Sequence, residues 1–585
     1  MLQRSLLQGV LALALATSLA VGADYHVDRR HPAASDDGPG TPAKPFASIA
    51  RAAKAVRPGD SVLIHSGVYR EGVVVSASGT AQRPIVFRAA PGARVVVTGA
   101  DPLTDWRREE GDKESNVFST HWPHEYIGWN KTRAHPADDY HRMIGRAEQV
   151  LVNNYPLLQV LDRAKLSRGT FYADLKGKRL VVWDRANREV GTGNVRVEAS
   201  VRGLLWRCTG DHLRLRGIRF RHAANPAQKA AVQILGSHCV LEDCVVERMN
   251  ALGAMFGGVG NVVRRCVFQD NGWDGFDAGA RDLLMTECVV RNNNTKGWNR
   301  QWGGGGNKLV LCRNVVIERS QFLGNRGHGI WFDIGNEDCT VRHCLIAGNE
   351  NAGIFYEISY GLHAHDNVIV GNGWGTTSGA WGADGAISLS SSPHCVVERN
   401  LMVANKEGFQ FREQFRSTPR IDDRKAKVPV WNHHNVVRHN LLAYNRDAQT
   451  AGWFATRDQR HWPRPMQRPA DADNPPPKPR RGHPADICLR DLSLTFENNL
   501  YAVRPGQPLF QWGPTFQGWR HKLYADLDTV RRELGLEKGS RVEPVTFAGN
   551  ILTLDFRVPA NSPALQMGCY PKGDVPGVRL GVIGK

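Results

Sequence analysis

Beyond its first residues, the sequence lacks any apolar run long enough to cross a lipid bilayer. Residues 1–22 combine Arg4 with the apolar stretch Val10–Leu19, and small residues follow around Val21–Ala23. This arrangement is typical of a secretory signal peptide, whereas a membrane span needs about 18 consecutive apolar residues. We therefore expect an exported protein, secreted or periplasmic, without a membrane span.

The sequence is also poor in helical periodicity and in acidic residues. It has 57 Asp and Glu against 75 Lys and Arg, which gives a net charge of +18. Such an excess favours polyanionic partners. The chain contains no nucleic-acid recognition motif, so we expect no nucleic-acid partner.

A short unit recurs along the chain: a small residue or Asn, an apolar pair, and a closing Asn five positions later. The closing residues are separated by 22, 32, 24, 23, 33 and 40 positions. A base period of 22–24 residues with insertions, built from short β-branched and aliphatic runs, indicates an all-β solenoid, a right-handed parallel β-helix. We expect the closing residues to stack at one corner: Asn271, Asn293, Asn325, Asn349, Asn372, Asn405 and Asn445.

Eleven cysteines in an exported chain would ordinarily suggest disulfide bonds. Several of them occupy equivalent repeat positions, where later coils have Asn, as in Cys244, Cys266, Cys288 and Cys344. This equivalence favours a buried ladder of free thiols and amides inside the solenoid. One or two bridges that involve Cys239 or Cys339 remain an alternative.

Composition divides the chain into five regions. They are a signal peptide (1–22), an N-terminal cap with the first coils (23–100), a β-rich insertion (101–200), the main solenoid (201–505) and a closing segment (506–585). Helical spacing in Phe46–Val56 predicts a capping helix, and Leu527–Leu536 predicts a second helix. A basic, Pro-rich loop at 446–490 interrupts the solenoid, either as a solvated loop or as a lid that binds an acidic polysaccharide or another polyanion.

Alignment of successive coils produces a column of charged residues. Counting back from each stacking unit places Asp277, Lys308, Asp333 and Glu357 at equivalent positions, and Leu389 above them. Strand alternation predicts that these charged residues point outward, together with Trp331 and Phe355, while their neighbours point into the core.

Two carboxylates on adjacent coils would lie about 4.8 Å apart and repel each other by about 3 kcal/mol. Lys308 would favour ionised Asp333 and leave Glu357 the more easily protonated carboxyl. One ionised and one protonated carboxyl at this separation is the arrangement of a retaining glycosidase. A surface charge ladder, with lysine as the counter-ion, is the alternative interpretation.

The segments Gly329–Asp333 and Gly353–Gly361 resemble the catalytic pair of β-helix glycoside hydrolases of family 120, which are β-xylosidases. That resemblance implies that Asp333 is the nucleophile and that Glu357 is the acid/base. The insertion and the C-terminal tail also resemble the related family 141. This sequence has Ile334 where the xylosidases have Trp, and Ser359-Tyr360 where they have Asn-His.

We therefore expect a retaining glycoside hydrolase that acts on plant or microbial polysaccharide or oligosaccharide, without a cofactor or an active-site metal. The competing functions are a lyase or epimerase of uronate polymers, for which Ca²⁺ would be expected, and a non-catalytic glycan-binding solenoid. The residues expected to bind substrate are Trp331, Phe355, Lys308, Asp277, Tyr360, Trp302 and Arg412.

Overall fold

The computed structural model describes residues 22–111, 115–126, 146–375, 383–414, 416–454, 492–513 and 521–584. The predicted signal peptide, apart from its last residue, and most of the predicted basic loop lie outside these ranges. No helix among the described residues is both long enough and apolar enough to span a membrane.

Three long sheets of 13 strands each form the body of the protein. The strands of the first sheet are Asp24–Val27, Ser61–Ile64, Ile85–Ala89, Leu213–Arg216, Val240–Glu242, Val262–Arg264, Leu284–Thr286, Val316–Glu318, Thr340–Arg342, His363–His365, Val396–Glu398, Val436–Arg438 and Thr495–Glu497. The strands of the second sheet are Gly67–Tyr69, Val95–Thr98, Ile218–Arg221, Val245–Glu247, Val267–Gln269, Val289–Arg291, Gln321–Leu323, Leu345–Ala347, Val368–Val370, Leu401–Val403, Leu441–Ala443, Leu500–Ala502 and Arg541–Val542.

The third sheet carries the candidate site and is called the site sheet below. Its strands are Val73–Val75, Trp206–Cys208, Val232–Ile234, Ala254–Phe256, Phe276–Ala278, Asn307–Val310, Ile330–Asp333, Ile354–Glu357, Gly385–Ser390, Glu407–Glu413, Ala448–Phe454, Phe510–Gly513 and Lys522–Tyr524.

Each coil of the main solenoid contributes one strand to each sheet, in the order first sheet, second sheet, site sheet. Neighbouring strands pair in parallel, apart from the last strand of the site sheet, which is antiparallel. The predicted fold, a right-handed parallel β-helix, is confirmed. Equivalent residues of successive coils therefore lie directly above one another.

The predicted asparagine ladder is also confirmed. The side-chain amide of each Asn donates to the side-chain oxygen of the next, at 2.8–3.1 Å, from Asn271 to Asn445. The ladder satisfies buried backbone groups at the corner, since Asn325 Nδ2 also donates to the carbonyl of Val290.

The cysteines behave as the repeat alignment predicted. All ten cysteines of the described chain are free and buried. The amide of Asn367 accepts from the backbone of Cys344, which places Asn and Cys in one interior column. The thiols act as small apolar groups of the core rather than as cross-links.

Both ends of the solenoid are covered. The helix Ile49–Ala55 has Ser48 as its N-cap and buries Ile49, Ala52 and Ala53 against the first coils. At the other end, the helix Leu527–Leu534 buries Leu527, Val530 and Leu534 in the main core. The tail beyond it, which contains the helix Pro563–Gln566, packs Phe556 and its neighbours on the outer face of the second sheet.

The described residues between 100 and 200 form two small sheets beside the solenoid and a 3₁₀ turn at Arg163–Lys165. The first of these sheets contains Tyr155–Pro156, Val150–Val152, Val197–Ser200 and Ala100–Pro102. The other contains Leu158–Val160, Thr170–Asp174, Arg179–Trp183, Val117–His121 and Arg107–Arg108.

Two stretches of the described chain, one at the start of the predicted basic loop and one before it, form β-structure. Residues 448–454, predicted as the start of the loop, form a strand of the site sheet. Arg416–Arg420 and Asp423–Val430 form an antiparallel hairpin, called the hairpin below. The repeat pattern could not reveal it, because the hairpin is inserted into one coil and pairs only with itself.

Candidate active site

The two candidate carboxylates end neighbouring strands of the site sheet. Asp333 and Glu357 are direct partners in the parallel register. Phe332 and Tyr356 alternate with them and point into the main core, as predicted. The two carboxylates therefore share one outward face, a single strand spacing of about 4.8 Å apart.

The backbone turns sharply just after each carboxylate. Ile334 has φ +59° and Ile358 has φ +42°, which are left-handed values that β-branched residues rarely adopt. The same left-handed turn follows the two neighbouring strands, at Leu311 with φ +54° and at Ser391 with φ +44°, so it belongs to this corner of the solenoid and not to the two carboxylates alone.

Three cationic side chains surround the pair. Lys308 Nζ lies 2.9 Å from Asp333 Oδ2. Glu357 Oε1 accepts from Arg412 Nη2 at 2.9 Å and from Arg416 Nη1 at 3.2 Å. The predicted contact between Lys308 and Asp333 is confirmed, and Arg416 is a site residue that the sequence analysis did not name.

The register of the column differs from the predicted one. Lys308 pairs with Asp277 in the coil below, but Val310, not Lys308, pairs with Asp333 in the coil above. Lys308 therefore lies two residues before the position opposite Asp333. A shift of two residues keeps its side chain on the same face of the sheet, and this long side chain reaches Asp333. The glycine-rich segment that precedes this strand has no side-chain pattern, so the offset could not be predicted from the sequence.

The predicted end of the charged column at Leu389 is wrong. Leu389 pairs with Tyr356 and points inward, whereas Ser390 pairs with Glu357. Arg412 occupies the same column one coil further and donates through Nε to Ser390 Oγ at 2.9 Å. The column therefore ends on a buried guanidinium that reaches back to Glu357.

Burial changes the acidity of the carboxyl groups. It raises the pKa of Asp333 to about 6, an effect that Lys308 opposes and the charge of Glu357 reinforces. Burial likewise raises the pKa of Asp277 to about 7, against the backbone N–H and the charge of Lys308. The sequence predicted Glu357 as the more easily protonated carboxyl, and in the structure it forms ion pairs with Arg412 and Arg416.

The two predicted aromatic platforms point outward but are covered. Trp331 and Phe355 are each 3% exposed and pack with His328, whose ring centroid lies 4.9 Å from both rings. Lys308 Nζ lies 4.0 Å above the ring of Trp331, and the guanidinium of Arg412 lies 5.2 Å from that of Phe355. They are not open sugar platforms, and instead they fix the two cations beside the carboxylates.

The remaining predicted binding residues lie around this centre. Asp277 accepts from the backbone of Lys308 at 2.9 Å. Trp302 stacks on Trp273 and accepts from Lys308 Nζ at its carbonyl oxygen, at 3.1 Å. Tyr360 lies beneath the guanidinium of Arg420, at 4.1 Å from the ring centroid.

The hairpin that carries Arg416 is held over the site by ion pairs. Arg420 Nε donates to Glu337 at 2.8 Å, and Arg313 binds both Glu337 and Asp422 at 2.7 Å. Arg281 binds Asp422 at 3.0 Å. These contacts run down the corner next to the two carboxylates and position the hairpin against three coils.

The carboxylates do not form a calcium site. Ca²⁺ needs several free oxygen ligands, whereas Asp333 is paired with Lys308 and Glu357 with Arg412 and Arg416. Among the described residues, the one group of side chains spaced to hold a metal ion is formed by histidines outside this site.

Comparisons with known proteins agree with the fold. A family model described as Right handed beta helix region matches residues 230–402. The uncharacterized protein YwoF of Bacillus subtilis (strain 168) is 40% identical over 68 residues, which are 12% of this chain and 14% of YwoF.

The comparison with solved structures also finds matches over most of the chain. The structure of XylC in complex with xylose matches with a TM-score of 0.61 and 17% identity, over 84% of this chain and 86% of XylC. A structure named as a glycoside hydrolase matches with a TM-score of 0.47 and 13% identity, over 88% of this chain and 99% of its own. At 17% identity the similarity to XylC extends to the fold alone, and function has to be argued from the site.

Proposed function

We propose that this chain is an exported carbohydrate-active enzyme that hydrolyses glycosidic bonds with retention of configuration. The observation that carries the proposal is the in-register placement of Asp333 and Glu357 on adjacent strands. A strand spacing of about 4.8 Å is close to the carboxyl separation of about 5–5.5 Å in retaining enzymes. Inverting enzymes need about 6.5–9.5 Å to place a water molecule between the carboxyls.

In this reaction Asp333 attacks the anomeric carbon while the bond to the leaving oxygen breaks. Glu357 gives its proton to that oxygen. A water molecule then loses a proton to Glu357 and attacks the anomeric carbon, which releases Asp333. With a pKa of about 6, Asp333 is ionised at neutral pH, as a nucleophile must be.

Glu357 gives its proton in the first step, and its carboxyl group contacts both Arg412 and Arg416. Arg416 is the more movable partner, because it lies on the hairpin and its side chain is 30% exposed. A carboxylate or sulfate on the substrate would draw Arg416 away from Glu357 and pair with it. We therefore propose a saccharide that carries an anionic group.

The similarity to XylC, whose structure is a complex with xylose, also supports a saccharide as the substrate class.

A uronate lyase is the second candidate, and the three cations favour it. Lys308, Arg412 and Arg416 converge on one face, and β-elimination needs a base together with a charge that neutralises the uronate carboxylate. The lack of a fit for Ca²⁺ and the close pairing of Asp333 with Glu357 favour the hydrolase.

The test is activity on aryl glycosides, neutral oligosaccharides and uronate polysaccharides, with reducing ends and unsaturated products measured separately. We expect reducing ends without unsaturated products, and loss of activity in Asp333→Ala. Glu318→Ala is the matched control, because Glu318 forms an ion pair with Arg342 on the first sheet, away from the site. Unsaturated products would contradict the proposed hydrolysis and would support the uronate lyase.

A further inference from the structure

Three histidines meet at one corner of the solenoid, in a part of the molecule that the proposed hydrolysis does not use. His394 lies in the turn between the strands Gly385–Ser390 and Val396–Glu398. His433 and His434 lie one coil further, between the hairpin and the strand Val436–Arg438. The backbone N–H of His394 donates to the carbonyl of His433 at 2.9 Å, which fixes the two turns against each other.

The imidazole rings converge. One ring nitrogen of each histidine lies within 4.8 Å of the corresponding nitrogens of the other two. His433 Nδ1 and His434 Nδ1 are 2.9 Å apart, and the ring centroid of His394 lies 4.9 Å from that of His433 and 5.3 Å from that of His434. Three nitrogens at such separations need only small ring rotations to reach a common centre at about 2.0–2.1 Å, the usual Zn–N distance.

We propose that His394, His433 and His434 form a binding site for a divalent first-row transition metal ion of the Zn²⁺ type. Imidazole nitrogens select Zn²⁺, Cu²⁺ and Ni²⁺ over Mg²⁺ and Ca²⁺, which prefer oxygen ligands. Three histidines leave a fourth position of a tetrahedral ion for water. The ion would join two consecutive coils at the residues where the hairpin returns to the solenoid.

The same fold supplies a matched control. His212 and His238 occupy similar turns on consecutive coils and stack with ring centroids 4.9 Å apart. Among the described residues, they belong to no group of three side chains with ligand atoms in metal-binding range. His238 and His394 both have left-handed backbones, with φ of +55° and +57°, and Asn tolerates this conformation.

The experiment uses untagged protein from which metal has been removed with EDTA. Co²⁺ is titrated with detection of its visible absorption bands, and Zn²⁺ is titrated by calorimetry. We expect one ion per chain, with at least about tenfold weaker binding in His394→Asn and in His433→Gln. Circular dichroism of the metal-free variants verifies that they are folded.

His238→Asn should bind both ions like the wild type. The proposal is overturned if the wild type binds neither Co²⁺ nor Zn²⁺ at micromolar concentrations. It is equally overturned if His394→Asn and His433→Gln keep wild-type affinity. The readout is metal binding, so these outcomes do not depend on whether the chain is a hydrolase.

Discussion

At the scale of single residues, the site consists of two carboxylates that form ion pairs with three cationic side chains. Lys308 pairs with Asp333, and Arg412 and Arg416 pair with Glu357. These contacts make the two carboxylates chemically different although they are equivalent in the fold, and a retaining mechanism requires this difference.

Removal of either carboxylate should have a distinct consequence. Asp333→Ala should lose activity on all substrates, because the nucleophile is gone. Glu357→Ala should keep activity on aryl glycosides with good leaving groups, and added azide should accelerate it and yield a glycosyl azide of retained configuration. If azide instead rescues Asp333→Ala with retention of configuration, Glu357 is the nucleophile and Asp333 is the acid/base.

The pH dependence should follow Asp333. The nucleophile must be ionised and its pKa is raised to about 6, so kcat/KM should fall as the pH drops through 6. Lys308→Gln removes the ammonium group that lowers this pKa, and the acidic limb should therefore move to higher pH. If the acidic limb of kcat/KM stays at the same pH in Lys308→Gln, the contact between Lys308 and Asp333 is contradicted.

At the scale of structural elements, the hairpin completes the site. Its ion pairs with Glu337 and Arg313 on the solenoid hold Arg416 above Glu357. The rigid sheet fixes Asp333, Glu357 and Arg412, whereas the hairpin supplies the one cation that a substrate can draw away. We assign substrate selection to this element.

Arg416→Gln should therefore discriminate between substrates. We expect KM to rise by about tenfold or more for a uronate-containing or sulfated substrate, since one charge-assisted contact contributes about 1.5–3 kcal/mol. The KM for a neutral aryl glycoside should change little. Arg424→Gln, an exposed position on the same hairpin, is the control, and an equal effect of both variants would argue against a specific contact.

The structural features that the repeat determines could be predicted from the sequence. The asparagine ladder, the outward placement of Asp333 and Glu357 and the contact of Lys308 follow from coil spacing and strand alternation. The repeat could not place Arg416, because the hairpin lies in a 40-residue coil that keeps no repeat of its own. It also could not show that Trp331 and Phe355 are covered, since burial by distant segments leaves no periodic signal.

At the scale of the whole molecule, the solenoid is a stack in which each coil is held by its two neighbours. The asparagine ladder joins the coils along one corner, and buried cysteines and aromatic residues fill the interior. Register errors of one residue would move the carboxylates to the opposite face of their strands, so the ladder also protects the site.

Asn325→Ala should destabilise the fold. The substitution leaves the carbonyl of Val290 and the N–H of Asn293 without their buried partner. Each unsatisfied group costs about 1–3 kcal/mol, so the free energy of unfolding should fall by about 3 kcal/mol, as measured by chemical denaturation. Asn561→Ala, at an exposed position, should have little effect, and an equally small effect of Asn325→Ala would show that the ladder is not stabilising.

The most direct test of the account is the stereochemistry of the first product. The wild-type enzyme is mixed with a substrate that it cleaves, and the anomeric configuration is followed by proton NMR before mutarotation. The placement of Asp333 and Glu357 on adjacent strands predicts a product that first appears with the configuration of the substrate. An inverted or an unsaturated first product would contradict the two-carboxylate mechanism.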